Sequence, residues 1–250
     1  ILRCLVGSEM CIRDRYEAVL LLGKETDTQD ITGTVLKECD PSEITEETAK
    51  KCIESFIGEY DQIPPMYSAL KVNGKKLYEL AREGKVVERK SRKVQIYDIR
   101  IKEMKLPRIR MEVSCSKGTY IRTIIDDLGK ILKTGAVMTA LCRTAACGYN
   151  LADSITLETA RELAEKGEIS EHIMRTETLF AGYRKIYVSD AQAKRFSNGG
   201  ELDMSRTALA KAKAQDKEII RVSDRQGKFL GLGIADNESG QLKILKLFLN

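Results

Sequence analysis

Between Ile109 and Leu132 the hydrophobic period of the chain changes once. Ile109, Met111, Val113 and Cys115 alternate with polar neighbours, the period-two pattern of a half-buried strand. Ile121, Ile124, Ile125, Leu128 and Leu132 then recur at helical spacing. Between the two patterns Ser116-Lys117-Gly118-Thr119 predicts a turn, with Thr119 as a candidate cap and Tyr120 and Arg122 in the first helical turn. Free N–H groups and the positive end of a helix dipole make such a junction a natural place to hold an anion. An ordinary strand–helix connection bearing surface charge would read the same way.

The remaining pattern predicts alternating strands and helices. Tyr16 to Leu22 reads as a strand ended by Gly23, the polar run TDTQDITG as a turn, and Thr34 to Leu36 as the return strand. Asp40-Pro41-Ser42-Glu43 resembles a helix start, and Ala49, Cys52, Ile53, Phe56 and Ile57 give the helix that follows one apolar face, stopped at Gly58. Pro64-Pro65 forces an extended passage, Asn73-Gly74 predicts a hairpin, and Leu77, Leu80 and Ala81 mark a short helix ended by Gly84. Val94 to Ile101 and Val137 to Thr144 complete the strands, the latter with Thr139, Leu141 and Arg143 on one side, and Thr156 caps a further helix. From about residue 184 short strands broken by Gly199-Gly200, Gly227 and Gly240 predict a small all-β unit. The fold class expected is α+β: a mixed, largely antiparallel sheet with flanking helices, plus a small C-terminal β-barrel.

Composition narrows the function. With 42% apolar and 32% charged residues in 250, the chain is globular and has no apolar run long enough to span a bilayer. The seven cysteines are scattered without a C-x-x-C pair, which favours buried free thiols in a reducing cytoplasm over disulfides or zinc. There is one histidine, His172, and no metalloprotease, Walker or nucleophile-elbow motif. Charge is unevenly spread. Residues 85–150 hold 15 Lys and Arg against 6 Asp and Glu, whereas residues 16–84 hold 8 against 14. A basic block of this kind suits a polyanion such as nucleic acid, and the tyrosines at 60, 67 and 78 among lysines suit single-stranded RNA, although solvated surface fits as well.

Residues 1–15, ILRCLVGSEMCIRDR, have no clear period. Leu5 to Asp14 matches one reading frame of a transposase library adapter, so this stretch is expected to be foreign and is set aside from fold reasoning.

Four segments in order, YEAVLLLGKETDTQDITG, IPPMYSALKVNGKKLYELAREG, CSKGTYIRTIIDDLG and GAVMTALCRT, together resemble the TruB-type tRNA pseudouridine synthases. FLGLGIAD and its basic neighbours are similar to the RNA-binding PUA domain that follows the catalytic domain there. The resemblance implies a catalytic domain over residues 16–183 and a PUA-like domain over 184–250. It implies isomerisation of a T-arm uridine of tRNA to pseudouridine, in the cytoplasm, by a monomer without cofactor, metal or membrane. Tyr16 resembles the tyrosine that stacks on the flipped base, and Tyr120 the one that contacts base and sugar. Arg122 resembles the partner of the catalytic carboxylate, and Leu141 the residue whose backbone meets the uracil edge. Lys71 and Lys117 are the cations expected to meet RNA. The family's catalytic Asp lies in a G-T-L-D-P-x-A-x-G segment upstream of the Tyr16 strand, and this chain has no such segment. The chain as written is therefore expected to be inactive, an N-terminally shortened form of marginal stability. The alternative is a non-catalytic RNA-binding or tRNA-folding protein.

Overall fold

The structure, a computed structural model, describes residues 13–146 and 148–248. Residues 1–12, most of the stretch expected to be foreign, lie outside the described residues. The chain divides into two compact units, residues 1–155 and 156–250. No helix among the described residues is long and apolar enough to cross a membrane.

In the first unit the chain runs β1 (Asp14–Leu22), β2 (Lys24–Thr26), β3 (Val35–Glu38), α1 (Glu46–Glu54) and β4 (Gly58–Gln62). Next come the short strands β5 (Lys71–Val72) and β6 (Lys75–Lys76), then α2 (Leu77–Arg82). The long hairpin β7 (Arg92–Lys105) and β8 (Arg108–Cys115) leads to α3 (Ile121–Leu132), β9 (Ala136–Ala146) and β10 (Tyr149–Asn150). Six of these strands form one sheet in the order β10-β9-β1-β8-β7-β4, and every pairing in it is antiparallel. Alternation sets its faces. Ala18, Leu20, Ile109, Met111, Val113 and Cys115 are fully buried in one core with Ala49 and Ile53 of α1 and Ile121, Ile124, Ile125 and Leu128 of α3. Each fully buried aliphatic side chain of this kind contributes about 1.5–3 kcal/mol. The opposite face carries charge, as in the bidentate Arg110–Glu17 contact at 2.6 and 2.9 Å.

Three local expectations change. β1 begins at Asp14 rather than Tyr16, because Asp14 and Arg15 continue the register against Cys115 and Ser114. The helix expected after Asp40-Pro41 begins at Glu46, where Thr45 caps the Thr48 amide at 3.2 Å; Asp40 instead holds a turn by accepting from Ser42 N at 2.9 Å. Thr119 does not cap α3, since its hydroxyl bonds back to the Ser116 carbonyl at 2.8 Å and the cap position falls to Tyr120. The Asn73-Gly74 hairpin forms as expected, both residues at positive φ (50° and 82°) as its tight turn requires.

The second unit contains α4 (Leu157–Glu165), α5 (Ile169–His172), β11 (Arg184–Tyr187), α6 (Asp190–Ser197) and β12 (Leu202–Asp203). It ends with β13 (Ile219–Ser223), β14 (Phe229–Asp236) and β15 (Gln241–Leu247). Its five strands pair in the order β11-β13-β14-β15-β12, a mixed sheet in which only β11 and β13 are parallel. The unit is not all-β: α6 is capped by Ser189 and buries Phe196 in the core. Polar residues on five of its eight positions, with two alanines and a single large apolar side chain, made that helix illegible as an apolar stripe.

Candidate functional site

The β8–α3 junction is where sequence concentrates chemistry, and side chains from distant strands hold it in place. Gly118, at φ +80°, makes the turn. Gln95 and Ser116 exchange bonds across the end of the sheet, Ser116 N to Gln95 O at 2.8 Å and Gln95 N to Ser116 Oγ at 2.9 Å. Gln62, the last residue of β4 and 1% exposed, grips the backbone of Tyr120: Tyr120 N donates to Oε1 at 2.8 Å and Nε2 donates to Tyr120 O at 3.1 Å. One turn on, the Arg122 guanidinium donates to the Tyr67 carbonyl and stacks near the Tyr120 ring, 6.0 Å from its centroid. Arg122 makes no ion pair among the described residues. Burial draws its pKa below the usual arginine range, with Tyr120 and Asp30 opposing that shift.

A second cluster lies at the start of β1. Tyr16 shares the core face with Ala18 and Leu20 and pairs in register with Arg143 of β9. The Arg143 guanidinium lies 5.8 Å from the Tyr16 ring centroid and donates to the buried Asp14 carboxylate at 2.6 Å. Burial first, then the Asp14 carboxylate, push the Tyr16 hydroxyl up to about 12. Asp14 pairs with Cys115, and burial pushes that thiol up to about 11. Cys115 is followed directly by the turn into Tyr120, so the two clusters meet at one end of the β1–β8 pair.

The polar TDTQDITG loop joins them. Gln29 adopts φ +64°, and its side chain accepts from Thr123 Oγ1 at 2.9 Å and donates to Asp126 Oδ2 at 2.8 Å, both on α3. Its backbone carbonyl accepts from Met138 N of β9 at 3.2 Å, and Ile31 N donates to Met138 O at 2.9 Å. One residue thus ties the loop carrying Asp30 to the helix of Arg122 and the strand of Leu141. Asp126 is buried, which raises its pKa, while Lys130 at 2.6 Å and Gln29 pull it back.

The structure therefore brings Tyr120 and Arg122 together and puts Tyr16 at the same end of the β1–β8 pair. Leu141 pairs with Ala18 in register, with 44% of it exposed. Lys117 is exposed on the junction turn, and Lys71 is exposed on the β5–β6 hairpin opposite Lys76, away from the junction in sequence. Sequence reading missed Gln29, Gln62 and the Asp14–Arg143 pair. A polar residue at the inward position of β4, just ahead of Pro64-Pro65, was the one available signal for Gln62. Chemically, the site offers aromatic surfaces for a base, cations for phosphate, and a half-buried guanidinium ready to orient a carboxylate.

Known proteins are similar to this chain over most of its length. Residues 9–121 match the TruB family pseudouridylate synthase N-terminal domain, residues 122–181 the tRNA pseudouridylate synthase B C-terminal domain, and residues 185–244 the pseudouridine synthase II TruB C-terminal domain. The chain is 42% identical over 252 residues to tRNA pseudouridine synthase B of Clostridium tetani, covering 98% of this chain and 84% of that one. It is 40% identical to the Clostridium kluyveri protein of the same name over 94% of this chain and 78% of that one. Among solved structures it resembles the chain of a Cbf5-Nop10-Gar1 complex, with a TM-score of 0.65, 18% identity, and coverage of 96% of this chain and 67% of that one. That likeness concerns the α+β fold alone, and the sequence relatives carry the assignment: the chain belongs to the TruB family of pseudouridine synthases.

Proposed function

We propose that the chain binds the T arm of tRNA and belongs to the machinery that isomerises one of its uridines to pseudouridine in the cytoplasm. The proposal places the catalytic domain over residues 16–183 and an RNA-binding, PUA-like domain over residues 184–250. One observation carries it: Arg122 is a half-buried guanidinium beside Tyr120 with no carboxylate bound to it among the described residues. A cation taken out of water without a counter-ion is costly, and it is kept where a partner or substrate supplies the charge.

The isomerisation breaks the bond from N1 of uracil to the sugar's anomeric carbon, turns the base, and joins C5 to that carbon. C5 loses a proton and N1 gains one, so no electrons enter or leave and no redox cofactor is called for. The base must first leave its stack, and the pocket must replace what stacking it loses. Tyr16 provides a ring held by Arg143, Tyr120 meets base and sugar, and the Leu141 backbone meets the uracil edge. Lys71 and Lys117 bind phosphates. Arg122 orients and keeps ionised the carboxylate that attacks or stabilises the sugar.

That carboxylate sits in a G-T-L-D-P-x-A-x-G segment in the family, and the present chain contains none. The chain as it stands binds T-arm RNA without turning it over. With tRNA tritiated at uridine C5, no tritium is released above background. Release would overturn this and assign the work to a carboxylate of this chain, Asp14 or Asp30.

A further inference from the structure

The segment from β4 to Tyr67 clasps α3 at three points. Tyr60 donates to Asp127, Gln62 takes both backbone groups of Tyr120, and Tyr67 offers its carbonyl to Arg122. The middle contact differs from the others in kind. A primary amide presents one acceptor and one donor side by side, so it pairs with the N–H and C=O of one extended residue as a neighbouring strand would. Tyr120 needs such a partner. It is the cap residue of α3, its own side chain makes no capping bond, and its backbone is extended (φ −97°, ψ 103°). Tyr120 O also accepts the first helical bonds from Thr123 N at 3.1 Å and Ile124 N at 3.3 Å, so with Gln62 both peptide groups flanking the Tyr120 Cα are held. Gln62 is buried while the rest of β4 carries Glu59 and Asp61 on exposed positions.

We infer that Gln62 is a positioning residue for the base pocket: by clamping the N–H and C=O on either side of the Tyr120 Cα it sets the direction of the Tyr120 ring toward the target nucleotide. The inference rests on the function proposed above. It is separate from general folding because Gln62 touches Tyr120 through both ends of one amide, a demand that only a donor–acceptor pair meets.

Binding to two T-arm hairpins tests it, one with uridine at the target position and one abasic there. Their affinity ratio isolates the base pocket from phosphate contacts. In Gln62→Glu the carboxylate still accepts from Tyr120 N but faces Tyr120 O without a proton to donate. The ratio is expected to fall about tenfold near pH 8 and to recover toward the parent's value near pH 5, because burial at this position raises the carboxyl's pKa and restores its donor there, with the abasic hairpin bound as before. Gln62→Met, similar in length but without donor or acceptor, loses the ratio at both pH values and serves where the Glu variant does not fold. Equal weakening of both hairpins, or an unchanged ratio in both variants, would overturn the inference. A parent protein that binds the two hairpins equally would instead remove the proposed function on which the inference rests.

Discussion

At the scale of single residues, burial first and the neighbouring Asp14 carboxylate second set the chemical character of Tyr16, with Arg143 opposing them. The ring would stack on a base either way, but the hydroxyl's high pKa keeps it neutral through any assay pH. Burial is the larger cause and Asp14 the second. Asp14→Asn should therefore lower the Tyr16 pKa from about 12 only part of the way toward the ordinary value of about 10. Tyrosinate absorbance against pH, with Tyr16→Phe as the reference, reads this directly; an unmoved titration would deny Asp14 any part in it. At this scale the sequence was only half legible. Tyr16, Tyr120 and Arg122 stand in local motifs and could be named. Gln29 and Gln62 could not, because Asp126 is 97 residues from the first and Tyr120 is 58 from the second. A glutamine's meaning depends on which peptide or carboxylate the fold brings to it.

At the scale of elements, α3 is the best-specified piece of the chain and the most tightly seated. Its apolar stripe was plain from spacing, since four isoleucines and leucines meet the sheet at successive turns. Its end was legible less directly. Gly129 sits where α3 crosses the start of β9, and a methyl group there would come 2.1 Å from Ala136 N and 2.4 Å from Gly135 C. Alanine gains about 1 kcal/mol over glycine in helix propensity. Here the close backbone approach outweighs that gain, and Gly129→Ala should destabilise the first unit by about 1–3 kcal/mol net in urea unfolding. A stabilised variant would mean that helix and strand do not approach this closely. The Asp40-Pro41 misreading shows the converse: a good capping motif is also a good turn, and the apolar stripe, which only begins at Ala49, decides where the helix starts.

For the whole molecule, the charge distribution predicts how binding responds to salt. Neutralising RNA phosphates releases counterions, so affinity for a T-arm hairpin should fall linearly on a double-logarithmic plot against salt. Lys71→Ala and Lys117→Ala should each make that slope shallower by about one, with little change in preference between uridine and abasic hairpins. A slope indifferent to both substitutions would take these lysines off the phosphate path. The architecture class was legible because alternation and turn signals are local, whereas the strand order β10-β9-β1-β8-β7-β4 was not. That order also leaves a margin. β10 pairs only with Ala145 and Ala146, and the Gln29–Ile31 loop reaches only Met138. Among the described residues no strand covers the outer edge of β9 from Thr139 to Thr144. Backbone hydrogen bonding is indifferent to side chains, so this rim is a seam on which an extended peptide of another chain can nucleate.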